Sequence, residues 1–523
     1  MTHPLIQHLQ NPALFNHPVT KFEVIETHIS WVLLTGDYAY KIKKPVNFGF
    51  LDFSTLARRR HFCQQELQLN RRLAPQIYLE VVAISGTPEH PSLDHNGEAI
   101  EYAIKMRQFA QHAQLDRVLA ASRLTPRHID QLAERIAAFH AQAQIASSDS
   151  QWGDPATIRH PVEENFAQIR PLLSQADDLA ALARLEHWSL QQLEQLTPLM
   201  QQRKRDGFIR NGHGDMHLAN IALIDEEIVI FDCIEFNDAF RWIDVISDIA
   251  FTAMDLDDRG QPQLAARLIN TYLQRSGDYQ GLALYNFYRL YRALVRAKVA
   301  CLRLTQPGLT AEQKRSIQQQ YRDYITLAQR YCAPAHPLLC ITHGLSGSGK
   351  TTLSQPLLER FGMIRIRSDV ERKRLYGYRA EARTDASIYN QTANQATYER
   401  LARLSRAIIS SGRSVIVDAT FLKQAERAQY RALAHSLGVP FVILHFHAPK
   451  AQLIEWIEER QRAGMDASEA TTEILEKQLR WEEPLEAQEA DALIEIDSRD
   501  DKAADQLIAK VRRVLEEQMP PSQ

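Results

Sequence analysis

The sequence predicts two domains of different class in series: an α+β domain with a small β-rich lobe and a helical lobe, then an α/β domain with a parallel sheet. Three observations carry this. Runs of β-branched and aromatic residues open the chain, long stretches of helical spacing follow, and strands alternate regularly with helices only after residue 338.

In the first part, Phe22–Glu26, Ser30–Thr35 and Tyr38–Lys43 read as strands, with Thr35-Gly36-Asp37 as a hairpin turn. Asp52-Phe53-Ser54 reads as a helix start; helical spacing runs to Leu73 and Pro75 ends it. Strands are expected at Tyr78–Ile84 and Ala99–Met106. Residues 126–205 and 240–332 read as mostly helical, with a short hairpin of Ile221–Leu223 and Ile228–Phe231 between them. In Cys332-Ala333-Pro334-Ala335-His336-Pro337 two prolines stop a helix and reset the chain before an apolar strand. The expected organisation is a first domain over 1–332, a linker over 333–337, a second domain over 338–517 and a tail over 518–523. In the second domain, Leu338–Thr342, Met363–Arg367, Ser414–Asp418 and Val442–His445 alternate with helices, the pattern of a parallel sheet.

Composition narrows the function classes. The 523 residues suit two to four domains, and a net charge of -3 gives the whole chain no strong pull toward nucleic acid or anionic membrane. Five scattered cysteines without a CxxC pair predict free thiols in a reducing cytoplasm. No apolar run is long enough to span a membrane, and the N-terminal residues lack the apolar core of a signal peptide.

Gly344-Leu345-Ser346-Gly347-Ser348-Gly349-Lys350-Thr351 is a phosphate-binding loop pattern placed between an apolar strand and a helix beginning Thr352-Leu353-Ser354. Glycines let backbone amides converge on phosphates, and the helix N-terminus adds positive potential. Lys350 is expected on the β- and γ-phosphates of ATP, and Thr351 on Mg²⁺.

Past the next strand, Asp369 is placed to take a proton from an acceptor hydroxyl and Arg372 to bind that acceptor; the competing reading of Asp369 is a helix cap. Asp418 ends a buried strand, as a Mg²⁺-orienting carboxylate, an acceptor contact together with Thr420, or a cap. In Glu458-Glu459-Arg460-Gln461-Arg462-Ala463-Gly464-Met465-Asp466, Arg460 or Arg462 is a lid candidate, or the run is a solvated helix face. These features resemble the AAA-family group of small P-loop kinases that includes polynucleotide kinases, gluconate kinases and zeta-toxin-like kinases, over about residues 338–517.

His213-Gly214-Asp215-Met216-His217-Leu218-Ala219-Asn220 is the second signal. Asp followed five residues later by Asn is the spacing of a protein-kinase catalytic loop, with Asp215 on the acceptor proton, Asn220 on Mg²⁺ and Asp232 as the second metal carboxylate. The loop resembles that of the aminoglycoside phosphotransferase and choline kinase-like family, over about residues 20–330, and so implies a protein-kinase-like two-lobed fold. The resemblance also implies a strand lysine on the α- and β-phosphates paired with a helix glutamate: Lys41, with Lys43 and Lys44 as rivals, and Glu66. The turn Thr27-His28-Ile29 carries none of the glycines that protein kinases lay over the phosphates. His213 and His217 read as structural supports or metal ligands, Asp244 and Asp248 as braces of the loop, and Asp255-Leu256-Asp257-Asp258 as a solvated face or an attractor of a cationic substrate.

The expected function is Mg-ATP-dependent phosphoryl transfer to hydroxyl acceptors, a small molecule or a nucleic-acid end, at two separate sites. The alternative is one kinase domain regulated by a nucleotide-binding switch. Arg365, Arg367, Arg372, Lys373 and Arg374 are the basic cluster that would meet a polyanion. No protein partner is inferable from the sequence.

Overall fold

The computed structural model describes all residues except 1, 2, 50, 94–96, 307, 381, 383, 385–387, 389, 464–470 and 518–523. The expected tail, 518–523, and the Gly464-Met465-Asp466 end of the lid candidate lie outside the described residues. The chain forms two compact units, Met1–Asp255 and Leu256–Gln523.

The first unit opens with a sheet in the order β1-β2-β3-β6-β4-β5. Its strands are β1 (Glu23–Glu26), β2 (Ser30–Leu34), β3 (Tyr38–Lys43), β4 (Tyr78–Gly86), β5 (Pro91–Ser92) and β6 (Ala99–Arg107), all paired antiparallel. The two-residue period of β3 divides its side chains between the faces. Tyr40 and Ile42 join a core with Leu5, Ile6, Trp31 and Leu33, whereas Lys41 and Lys43 face Glu66 of the helix Leu56–Asn70. That helix starts later than Asp52-Phe53-Ser54. Thr55 is its N-cap, accepting from Arg58 N at 3.3 Å, while Asp52 instead accepts from Ser54 N at 3.0 Å and closes a turn. The glycine-free turn between β1 and β2 is held by a side chain: Thr27 Oγ1 accepts from Ser30 N at 2.9 Å and Ile29 N at 3.3 Å.

The helical lobe includes Pro126–Gln142, Pro155–Ile169 and Ala176–Arg205. Two small antiparallel pairs frame the candidate loop: β7 (Ile209–Asn211) with β10 (Trp242–Asp244), and β8 (Ile221–Ile224) with β9 (Glu227–Ile230). The β7–β10 pair went unpredicted because three residues show no alternation to read. It is anchored by a buried bidentate ion pair, Arg203 to Asp244 at 2.7 and 2.9 Å.

The second unit contains the helices Pro262–Ser276, Leu282–Leu304 and Ala311–Tyr331, followed by a five-stranded, all-parallel sheet in the order β12-β13-β11-β14-β15. These strands are β11 (Leu339–His343), β12 (Ile364–Arg367), β13 (Val415–Asp418), β14 (Phe441–His447) and β15 (Leu493–Asp497). β11 is buried at every position, as a central strand covered on both faces must be. The fifth strand, β15, was not anticipated; an edge strand with Glu495 exposed lacks the continuous apolar run that marks β11 and β13.

Arg203→Ala should destabilise the first unit by about 3–5 kcal/mol, since it leaves the Asp244 carboxylate buried without its counter-charge. Urea unfolding followed by circular dichroism checks this; a loss under about 1 kcal/mol would mean the pair contributes no more than a surface bridge.

Candidate functional sites

The loop 213–220 has little secondary structure of its own, so several of its amides are satisfied by side chains. Asp248 accepts from His213 N at 2.7 Å and Gly214 N at 2.8 Å, and Asp255 accepts from Leu218 N at 2.8 Å. Thr252 Oγ1 donates to Met216 O at 2.7 Å. All three braces lie on one face of the helix Val245–Asp258, so a single rigid element holds the loop. Gly212 must be glycine for the same reason: a Cβ there would lie 2.4 Å from Asp248 Oδ2.

His213 is a structural support. Its Nε2 donates to Phe231 O at 2.9 Å and its Nδ1 accepts from Asp215 N at 3.2 Å, which fixes the neutral tautomer. Burial depresses its pKa against the pull of the Asp248, Asp215 and Asp232 carboxylates around it. Asn220 Nδ2 donates to the Asp215 backbone oxygen and to its Oδ2, both at 3.0 Å, leaving the Asp215 side chain 36% exposed. His217 Nε2 lies 3.5 Å from the same Oδ2.

Two lysines share Glu66. Lys41 contacts Glu66 Oε1 at 2.8 Å and Asp232 Oδ1 at 2.5 Å; Lys43 contacts Glu66 Oε2 at 2.6 Å and also bonds Glu235. Lys44 points elsewhere, to Glu26. Lys43 is only 1% exposed, against 12% for Lys41 and 40% for Asp232, so Lys41 and Asp232 form the open end of the network. Burial alone would raise the Glu66 carboxyl, but the two ammonium groups hold it well below the usual carboxylate range. Asp232 adopts φ 62, a left-handed conformation that is strained for a non-glycine residue. The Lys43–Glu235 half of the network was missed in the sequence; the available signal was an acid three residues after Asp232.

Asp257 of the acidic run meets Arg289 at 2.9 Å and Tyr331 Oη at 2.7 Å, and Asp255 is committed to the loop. Most of that run is therefore internal rather than a solvated face.

In the second unit the phosphate-binding loop follows the central strand β11. Gly344 has φ +141, and a Cβ there would sit 2.3 Å from Phe446 O, so the turn demands glycine. Gly349 stands at the N-cap of the helix Lys350–Phe361, which carries Lys350, Thr351 and the exposed Thr352 in its first turn. Lys350 Nζ donates to Gly344 O at 2.9 Å and Leu345 O at 2.7 Å. Gln478, not singled out in the sequence, clamps the loop: it accepts from Ser346 N at 2.8 Å and donates to Ser346 Oγ at 2.9 Å. Ser348 O accepts from Ser498 Oγ at 2.7 Å.

Thr351 Oγ1 donates to Asp418 Oδ2 at 2.7 Å, bringing together the two residues expected at a metal. Burial lowers the Lys350 pKa to about 8, with Asp418 and Asp369 opposing the shift and Arg460 adding to it. Lys350 thus stands within electrostatic reach of Asp369, Asp418 and Arg460 together; Arg462 is exposed. Asp369 lies in the first turn of the helix Ser368–Leu375, where no side-chain cap bond is formed. Arg372 is 9% exposed with Nε 3.4 Å from Thr397 Oγ1. Of the basic cluster, Arg365, Lys373 and Arg374 donate to groups of the protein itself, among them Thr351 O, Ala380 O and Gln274 O.

Each site offers hard oxygen donors, Asn220 with Asp232 and Thr351 with Asp418, which fits Mg²⁺ completed by nucleotide phosphates and water. Among the described residues, no group of three or more His, Cys, Asp or Glu could hold a metal ion by itself, and no helix is long and apolar enough to cross a membrane.

With nucleotide binding at the P-loop requiring a charged Lys350, affinity should fall as pH rises through about 8. A lysine with a depressed pKa takes up a proton when a polyanion binds, so the loss between pH 7 and pH 9 should be about tenfold. Calorimetric titration of a Lys41→Ala chain with ATP checks this; a flat profile would mean that the Lys350 charge is not required.

Comparison with known proteins identifies the two domains that carry these residues. The Phosphotransferase enzyme family matches residues 50–285, and the family described as AAA domain matches residues 339–485. The uncharacterized protein Mb2027c of Mycobacterium bovis is 32% identical over 476 residues, covering 89% of this chain and 92% of its own. Among solved structures, a gluconokinase from Sinorhizobium meliloti 1021 is 22% identical, covering 35% of this chain and 96% of its own, with a TM-score of 0.25. A choline kinase from Cryptosporidium parvum Iowa II is 10% identical, covering 62% of this chain and 94% of its own, with a TM-score of 0.39. The chain belongs to the same family as the mycobacterial protein and is a phosphotransferase enzyme, with a protein-kinase-like phosphotransferase domain followed by a kinase-like P-loop domain.

Proposed function

We propose that the chain uses Mg-ATP to phosphorylate hydroxyl acceptors at two separate sites. The observation that carries this reading is the presence, in each compact unit, of a lysine, metal-type oxygen donors and an aspartate suited to an acceptor: Lys41, Asn220, Asp232 and Asp215 in one, Lys350, Thr351, Asp418 and Asp369 in the other.

At the first site Asp215 receives the proton of the acceptor hydroxyl as its oxygen bonds to the γ-phosphorus and the bond to the β–γ bridging oxygen breaks, releasing ADP. Lys41, positioned by Glu66, holds the α- and β-phosphates. At the second site the loop amides and Lys350 hold the phosphates, Asp369 takes the acceptor proton, Arg372 binds the acceptor and Arg460 stabilises the transferring charge. Mg²⁺, when bound, neutralises phosphate charge in both. With Arg365, Lys373 and Arg374 engaged inside the protein, a small hydroxyl acceptor is favoured over a nucleic-acid end. Five free cysteines suit a cytoplasmic enzyme.

The second reading makes the first domain a nucleotide-dependent switch. What favours it is the Lys41–Asp232 contact, which ties together two groups that nucleotide must separate.

In the full chain, Asp215→Ala and Lys350→Ala should each reduce transfer of labelled γ-phosphate by about a hundredfold or more, toward different acceptors. Transfer unaffected by either substitution, across an acceptor panel, would remove the two-site reading. Loss with Lys350→Ala alone, while the first site still binds ATP, would favour the switch.

A further inference from the structure

The sheet of the second unit ends at β12, whose outer edge has no neighbouring strand among the described residues. An unpaired edge presents bare amides and carbonyls that must be satisfied or covered. Asn270, on the helix Pro262–Ser276, meets this edge as another strand would. Its Nδ2 donates to Met363 O at 2.9 Å and its Oδ1 accepts from Arg365 N at 2.9 Å. Asn270 is 8% exposed, and its carboxamide is fixed on its own helix by a bond from Nδ2 to Ala266 O at 3.0 Å. This helix falls inside the stretch matched by the Phosphotransferase enzyme family, yet it packs within the unit that holds the P-loop.

The residue whose amide Asn270 holds is also the one whose side chain reaches the P-loop helix. Arg365 Nη1 donates to Thr351 O at 2.5 Å and to Ser354 Oγ at 3.3 Å, and Nη2 donates to Gln355 Oε1 at 2.8 Å. The same helix makes a parallel tie one turn further on: Arg267 contacts Glu359 at 2.8 Å, and Glu359 accepts from Gln355 Nε2 at 3.0 Å. Thr351 in turn presents its hydroxyl to Asp418 at 2.7 Å.

We propose that Asn270 and Arg365 are positioning residues of the P-loop site, through which a helix of the phosphotransferase segment sets the place of the Thr351 hydroxyl that receives Mg²⁺. Neither residue touches the nucleotide. Asn270 fixes the backbone of Arg365, and the Arg365 guanidinium, inserted against the first turn of the Lys350–Phe361 helix, fixes the backbone of Thr351. A hydroxyl that must share a cation with phosphate needs its carrier held closely, and such outer supports tune metal affinity more than they tune phosphate binding.

The inference rests on the reading of the second site as an Mg-ATP site, and the test keeps the two apart. The full chain carrying Lys41→Ala, which silences the first site, is titrated with N-methylanthraniloyl-ATP at increasing Mg²⁺ concentrations. Asn270→Ala and Arg365→Gln should each raise the Mg²⁺ concentration for half-maximal binding by about tenfold, with metal-free nucleotide affinity changed less than about twofold. Asn270→Asp, which keeps the acceptor for Arg365 N, should shift it less. Arg365→Gln leaves the backbone pairing with Asn270 in place, so it decides the matter should Asn270→Ala not fold. A lowered unfolding temperature with unchanged Mg²⁺ dependence would overturn the proposal and leave Asn270 an edge cap. Equal losses with and without Mg²⁺ would overturn it too. Nucleotide binding that survives Lys350→Ala in the same background would instead overturn the reading of the site itself.

Discussion

The constraint on which both candidate loops depend is that bonds within a loop satisfy only part of its backbone. A loop without the ladders of helix and sheet leaves further amides that must find side-chain acceptors or remain unsatisfied at a cost of about 1–3 kcal/mol each. Asp248 serves His213 and Gly214, Asp255 serves Leu218 and Gln478 serves Ser346. Each acceptor is on a helix, so each loop inherits the rigidity of an element outside it. Asp248 is the strongest case, because one carboxylate takes two consecutive amides while wholly buried, with the His140 ring beside it at 3.4 Å.

The second constraint is charge. Burying Lys41 and Lys43 beside each other is unfavourable unless carboxylates match them, and Glu66, Asp232 and Glu235 do so. The network is graded by exposure. Lys43 and Glu235 are sealed inside, whereas Asp232 opens toward solvent. The sealed half keeps Glu66 ionised and oriented, and the open half is the part of the network that solvent reaches. The strained backbone of Asp232 belongs to the same arrangement, since the left-handed conformation redirects the chain just where the carboxylate must point back at Lys41.

The sequence made the fold class legible because the two periodicities are strong where the elements are long and buried, as in β11, β13 and the helix Leu282–Leu304. It failed where elements are short or at an edge, at β7, β10 and β15, because such strands carry little alternation or burial of their own. Candidate site residues that belong to a local pattern, such as Lys350 with Thr351 or Asp215 with Asn220, were readable because five or fewer residues separate them. Supports that act across long separations were not. Gln478 lies 132 residues from Ser346, and Asn270 lies 95 residues from Arg365. An isolated Gln or Asn in a helix carries no mark of the amide it will satisfy. Asp248 was found only because it sits one helical turn past Asp244.

That distinction bears on where the chain can be divided. The prolines at 334 and 337 mark a change of composition, and they lie in the stretch between the two family matches, 50–285 and 339–485. Packing follows a different rule, because a parallel sheet requires cover on its faces and shelter at its edges. The P-loop sheet draws part of that shelter from before the prolines: Asn270 on the β12 edge, Arg267 on the P-loop helix, and Asn286 accepting from Arg413 at 2.9 Å. A fragment beginning at 338 would therefore leave the amide of Arg365 and the carbonyl of Met363 without partners and free Arg365 to leave Thr351. Activity lost on such excision would report an uncovered sheet edge as readily as a missing catalytic group, so the two sites are compared most cleanly by point substitution in the intact chain.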